Sequence, residues 1–225
     1  HRGMFRGFLT STWVCLSAGF AQACDLALVL AVDVSGSADS WEYRIQRDGL
    51  ASALRDPIVS EALVMAQAEV MLLQWTGAGR QRVTVPWRTI TDFEALDDFA
   101  NDIAADRRVW RNFSTAIGEA LEMAVAQFDA VPHCTRRVVD VSGDGSSNEG
   151  IAPASMRMRL KAERVTVNAL VIEGAEEDLT AYFWENVIYG EGAFVVTAND
   201  FPEYPQRIRQ KLRRETTKQT AELRR

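Results

Sequence analysis

The chain alternates short, almost wholly apolar runs with longer stretches in which apolar residues recur every three or four positions. Residues 25–33 (DLALVLAVD) are apolar at nearly every position and predict a strand buried on both faces. Residues 39–55 follow as a helix, with Trp41, Ile45, Leu50 and Leu54 on one side. A second buried strand is predicted over 68–75. The turn signal TGAGRQ then leads into an antiparallel strand over 82–87. Pro86 lacks a ladder donor, which places that strand at a sheet edge. Helices are predicted over 92–106 and 115–130, and a third buried strand over 136–144. A helix opening on Pro153 covers 153–163, followed by a strand over 165–173, a helix over 177–188, a short strand over 193–198 and a last helix from about 201. This alternation predicts an α/β domain: a single open, mostly parallel, doubly wound Rossmann-like sheet with one antiparallel edge strand and helices on both faces.

In such sheets ligands sit beyond the carboxyl ends of the strands, and two of those ends are unusual. The first strand runs into AVDVSGS and the third into VVDVSGDGSSN, while the helix between them opens with NFSTAIGEAL. Asp33, Ser35 and Ser37 alternate along extended backbone and so share a side. With Thr115 and Asp144 they make two carboxylates and three hydroxyls, with no histidine or cysteine among them. That donor set is hard oxygen and suits Mg²⁺, with Mn²⁺ as the alternative. With only two carboxylates, the ion keeps the capacity to attract an external anion. Taken singly, each residue has an ordinary reading as a helix cap or turn former; the ordered set of five points to a metal.

Composition narrows the function. The chain has 225 residues, 47% of them hydrophobic, enough for one domain with a substantial core. Its formal charge is −6, which disfavours nucleic acid and anionic lipid as partners. No stretch holds about twenty uninterrupted apolar residues, so no membrane-spanning helix is predicted. Residues 4–23 (MFRGFLTSTWVCLSAGFAQA) have an arginine near the start, an apolar middle and Ala21-Gln22-Ala23 at the end, the pattern of a secretory signal peptide. On this reading residues 1–23 are a leader, Met4 is the natural start, 24–214 form the domain, and 215–225 are a basic tail. The product is then exported, to the periplasm or the extracellular space. Cys15 leaves with the leader; Cys24 and Cys134 remain.

The motifs DVSGS, Ser114-Thr115 and SGDG, in this order, resemble the metal-ion-dependent adhesion site of von Willebrand factor A (VWA) domains. The chain also looks like an uncharacterised group of secreted bacterial VWA-like proteins. The resemblance implies Ser35, Ser37 and Thr115 as direct ligands, with Asp33 and Asp144 often acting through water, and a protein partner that offers a carboxylate to the ion. It also sets the strand ending at Asp33 beside the strand ending at Asp144. Cys24 and Cys134 would then meet at the far end of neighbouring strands and form a disulfide, with lipidation of Cys24 as the alternative. Trp41, Trp110 and Phe113 fall in or near the loops around the site and are candidates for a partner-binding rim, although such residues more often cover the core. Arg107, Arg108 and Arg111 lie in the same loop.

Catalysis is not implied. SGDGSSNEG also resembles the late acidic motif of haloacid-dehalogenase-type phosphatases, but those enzymes need a second acid two residues after the nucleophile, where this chain has Ser35. His133 lies eleven residues before Asp144, at about 3.3 Å per residue of strand, too far to serve as a base for Ser35 or Ser37. No G-x-S-x-G elbow or phosphate loop is present. A metal-free interaction domain is the remaining alternative.

Overall fold

Strand β1 (Cys24–Asp33) runs through the middle of a six-stranded sheet. Its neighbours are β2 (Glu69–Trp75) and β4 (Cys134–Gly143), both parallel to it. Beyond β2 lies β3 (Gln81–Thr89), antiparallel and at the edge; beyond β4 lie β5 (Val165–Ile172) and β6 (Val195–Ala198), again parallel. This computed structural model describes residues 23–36, 38–111, 113–174 and 176–222. The leader, apart from Ala23, and the candidate ligand Ser37 lie outside the described residues.

Alternation along β1 divides the core. Leu26, Leu28, Leu30 and Val32 face one layer, formed by α1 (Ser40–Leu54), α2 (Pro57–Met65), α3 (Phe93–Ala105) and α7 (Tyr204–Glu222), and meet Leu50, Leu63, Phe99 and Leu212. Ala27, Val29 and Ala31 face the other, formed by α4 (Ile117–Gln127), α5 (Arg157–Ala162) and α6 (Leu179–Asn186). Both faces of the central strand are therefore dry, which is why its sequence shows no polar alternation. Pro86 sits where the β2–β3 register slips, between the Leu72–Val85 and Val70–Arg88 pairs, so the missing donor falls at a bulge on an edge strand. Among the described residues no helix is long and apolar enough to cross a membrane.

Cys24 and Cys134 are directly paired in the β1–β4 register and joined by a disulfide. Sulfur in that bond is not open to lipidation. His133 stands beside them, but with both thiols oxidised the three do not form a thiolate metal site.

Three features depart from the sequence reading. Segment 56–67 carries no predicted element, yet α2 forms there, with the Asp56 carboxylate accepting the Ile58 and Val59 amides and Pro57 in the first turn. The helix predicted over 115–130 begins only at Ile117, which leaves Thr115 in the loop before it, and ends in a 3₁₀ turn over Phe128–Ala130. Helix α7 runs through residue 214 without interruption, and Glu215 and Thr216 are buried.

Candidate metal centre

Three loops meet above the carboxyl ends of β1 and β4. The first leaves β1 at Asp33, which is 3% exposed. One carboxylate oxygen, Oδ1, accepts the Ser35 amide at 2.7 Å; the other, Oδ2, is buried without a hydrogen bond of good geometry among the described residues. The second loop leaves β4 at Gly143 and carries Asp144, 5% exposed. The third precedes α4 and carries Thr115, 6% exposed. A methyl group on Gly143 would stand 3.3 Å from Asp33 Oδ2, so glycine leaves that oxygen its space.

The carboxylates are held where water cannot screen them. Burial, and after it the charge of Asp144, push the Asp33 carboxyl up to about 7, while hydrogen bonding from Ser35 and the Asp144 amide opposes the shift. Two buried acids that repel each other, one of them with an oxygen that has no hydrogen bond of good geometry among the described residues, are an arrangement a cation relieves.

Each loop is braced by side chains from elsewhere. Arg108 donates to three main-chain carbonyls of the first loop: Val34 at 2.9 and 3.2 Å, Ser35 at 2.6 Å and Ala38 at 2.6 Å. Five donors in a rigid fork suit it to that task. Burial and the neighbouring Arg111 lower the Arg108 pKa, while Asp33 and Asp144 pull it back up, so its positive charge is felt at the site. The loop carrying Arg108 is in turn pinned by Gln74 of β2, which donates to Asp106 Oδ2 at 2.6 Å and to the Arg107 carbonyl at 2.9 Å and accepts the Val109 amide at 2.9 Å.

The second and third loops hold each other. Asn148 accepts the Thr115 amide at 3.0 Å and returns its own amide to the Thr115 carbonyl at 2.9 Å. Ser147 Oγ accepts the Ile117 amide at 3.2 Å. Glu149 accepts from the Ser114 hydroxyl and from the Ala78 amide, tying both loops to the β2–β3 hairpin. Thr115 is therefore fixed through its main chain, and its hydroxyl does not cap α4, whose N-cap residue is Ala116.

Of the aromatic candidates, Trp41 on the first turn of α1 is 52% exposed and Phe113 39% exposed. Arg80 stacks 3.9 Å from the Phe113 ring centroid, and the Phe113 carbonyl accepts the Gly36 amide at 3.1 Å. Trp110 is half-buried and packs against the α1–α7 side of the core.

Residues 23–220 match the family model described as "Protein of unknown function (DUF1194)". The chain belongs to this family. No curated protein matches it. Among solved structures, the DUF1194 chain is similar to proximal thread matrix protein 1 from the mussel byssus, determined with a zinc-occupied MIDAS motif (TM-score 0.65, 21% identity, 84% of this chain and 48% of that one). It is similar also to a von Willebrand factor type A protein from Catenulispora acidiphila (0.57, 18%, 87% and 43%) and to the pilus adhesin SpaC from Lactobacillus rhamnosus GG (0.62, 13%, 88% and 30%). The DUF1194 chain spans about half the length of these structures or less. It has the VWA fold, and at these identities the likeness is one of fold.

In this DUF1194 chain the structure brings Asp33, Ser35, Thr115 and Asp144 to one end of the sheet. The bracing residues were not legible. Arg108 read as one of three arginines in a single loop, and Gln74 as part of a buried strand. Its one signal was a long polar side chain inside an otherwise apolar run.

Proposed function

We propose that this DUF1194 domain is an exported binding module that holds a divalent cation, Mg²⁺ or Mn²⁺, through Asp33, Ser35, Thr115 and Asp144, and uses it to engage a carboxylate on a protein partner. Ser37, two residues beyond Ser35, completes the ligand set on the sequence pattern. The observation that carries the reading is the pair of buried carboxylates, with Asp33 Oδ2 lacking a good donor, among hydroxyls at the tip of the central strand. Hydroxyls and carboxylates are hard ligands that favour Mg²⁺ or Mn²⁺ over a thiophilic metal. The zinc-occupied motif of the byssus protein and the pilus adhesin SpaC support a binding use of the same fold.

The cation, when bound, supplies concentrated positive charge and open positions for an external oxygen donor. The protein's part is to hold its own donors still. Arg108 fixes the carbonyls of the first loop, Asn148 fixes Thr115, and Gly143, having no side chain, leaves Asp33 Oδ2 its space. Trp41 and Phe113 form the exposed rim a partner would meet. The disulfide fits an oxidising compartment, periplasmic or extracellular.

Titration calorimetry with Mg²⁺ and Mn²⁺ tests the cation, and capture of partners from a periplasmic or culture extract, with Mg²⁺ and then with EDTA, tests the adhesion. Uptake of about one ion per chain, lost in Asp33→Ala, and partners recovered only with Mg²⁺ are the expected results. Equal recovery in both conditions would leave a metal-free interaction domain.

A further inference from the structure

The loop between β5 and α6 brings a fourth segment, rich in acids, to the same end of the sheet, Glu173 and Glu176–Asp178. Its acids are not equivalent. Glu173 is committed to the start of α6, accepting the Thr180 amide at 3.0 Å and the Thr180 hydroxyl at 2.6 Å. Glu176, although exposed, is drawn onto the loop that carries Asp144: its Oε1 accepts the Ser146 amide at 3.1 Å. A second tie holds the two segments together, the Ser147 amide donating to the Tyr182 hydroxyl at 3.2 Å. A methyl group placed on Gly145 would lie 3.4 Å from Glu176 Oε1 and 3.8 Å from Thr115 Oγ1. Those two oxygens therefore border one small space and stand within about 7 Å of each other.

We infer that Glu176 is the site's own carboxylate, competing with the partner's for the cation. This rests on the divalent-cation reading given above. The Ser146 amide, a natural seat for an incoming carboxylate beside the ion, is already taken by a carboxylate of this chain. A glutamate side chain has the rotatable bonds to cover the remaining distance, since Mg²⁺ at about 2.1 Å per bond joins oxygens up to roughly 4.2 Å apart. A third carboxylate offsets the positive character that would draw an acidic partner. Glu176 thus sets a threshold: a partner must offer a carboxylate in a geometry good enough to displace it, and stray carboxylates are refused.

The test uses the full chain, Mn²⁺ as probe ion, acetate as probe carboxylate, and the variants Glu176→Gln and Glu177→Gln. The amide oxygen introduced by Glu176→Gln still accepts the Ser146 amide, so the loop is preserved, and Glu177→Gln removes the same charge one residue away. With Glu176→Gln the expected results are a Mn²⁺ affinity at least about threefold weaker, a higher water-proton relaxivity of the bound ion because one more water reaches it, and acetate binding to the Mn²⁺-loaded protein about tenfold tighter. Glu177→Gln should behave as wild type. If Mn²⁺ binds but relaxivity and acetate affinity are the same in wild type and Glu176→Gln, the inference fails while the cation reading stands. Equal shifts in both variants also overturn it, as a general charge effect. No Mn²⁺ uptake by wild type removes both readings.

Discussion

Lys211 of α7 is fully buried against Asp140 of β4, with its ammonium in contact with that carboxylate and 3.3 Å from Glu215 one helical turn on. Asn168 of β5 donates to Glu215 at 2.6 Å and accepts the Phe194 amide at 3.0 Å, closing a polar cluster inside the α1–α7 layer. The cluster lies under the strand that ends at Asp144 and fixes α7 to the sheet. Lys211→Met leaves two buried carboxylates without their cation and should cost about 3–5 kcal/mol in urea unfolding. Replacing Asp140, Lys211 and Glu215 together by apolar residues of similar size should recover most of that loss.

One lysine balances one of the two acids. Burial, followed by the charge of Glu215, holds the Asp140 carboxyl well above the usual carboxylate range against the pull of Lys211. Burial opposes the charge on Lys211, but the two carboxylates outweigh it and raise its pKa. Above the unfolded value of about 4, the folded protein keeps a proton on Asp140 that the unfolded chain has released. Asp140 therefore contributes stability that is lost as pH rises from about 4 towards its raised folded value, with a slope of at most about 1.4 kcal/mol per pH unit. Asp140→Asn should flatten that slope, so the stability of wild type relative to the variant falls as pH rises above about 4. Urea titrations of both proteins across that range check it.

The disulfide closes a loop with a sequence separation of 110. Reduction, or Cys24→Ser with Cys134→Ser, should lower unfolding stability by about 4–5 kcal/mol in the chain-entropy model. Denaturant curves with and without a dithiol reductant measure the loss. The sheet order should survive, because the β1–β4 ladder runs on from Leu26 to Val32.

Arg108 acts on the main chain around the candidate ligands, donating to the Val34, Ser35 and Ala38 carbonyls. Arg108→Ala should weaken Mg²⁺ binding by about 10- to 100-fold while leaving cooperative unfolding in chelator intact. Arg108→Lys should recover only part, since an ammonium cannot fork across three carbonyls. Calorimetry read beside thermal unfolding separates the two effects.

Saturating Mg²⁺, at about 100 times its dissociation constant, should stabilise the chain by about 2.7 kcal/mol. Asp144→Asn should abolish that gain. In chelator the same variant should be no less stable than wild type, because it removes a buried repulsion from Asp33. Thermal unfolding with and without Mg²⁺ supplies all four values.

The sequence exposed its strands because burial on both faces leaves little room for polar residues. DLALVLAVD and AEVMLLQW could hardly be anything else. Helix α2 escaped notice between two stronger segments, although Asp56 and Pro57 carried the start signal. It is held in place by Arg213, whose guanidinium Nε donates to Asp56 Oδ1 at 2.9 Å from 157 residues away, a contact with no local trace. Glu215 read as the start of a basic tail for the same reason: Asn168, which donates to it, is on a different element.

By itself, then, the sequence determined the order of the strands along the chain, the edge position of the Pro86 strand, and the presence of hydroxyls and carboxylates at the strand ends. These follow from periodicity and chemical type, which are local. Only the tertiary structure decided that Arg108 grips the first loop, that Asn148 locks Thr115, that Lys211 lies in the core, and that Glu176 reaches the rim of the site. Each of those depends on a charged or amide group meeting oxygens or carboxylates distant in the chain, and such a meeting is set by the folded path of the backbone.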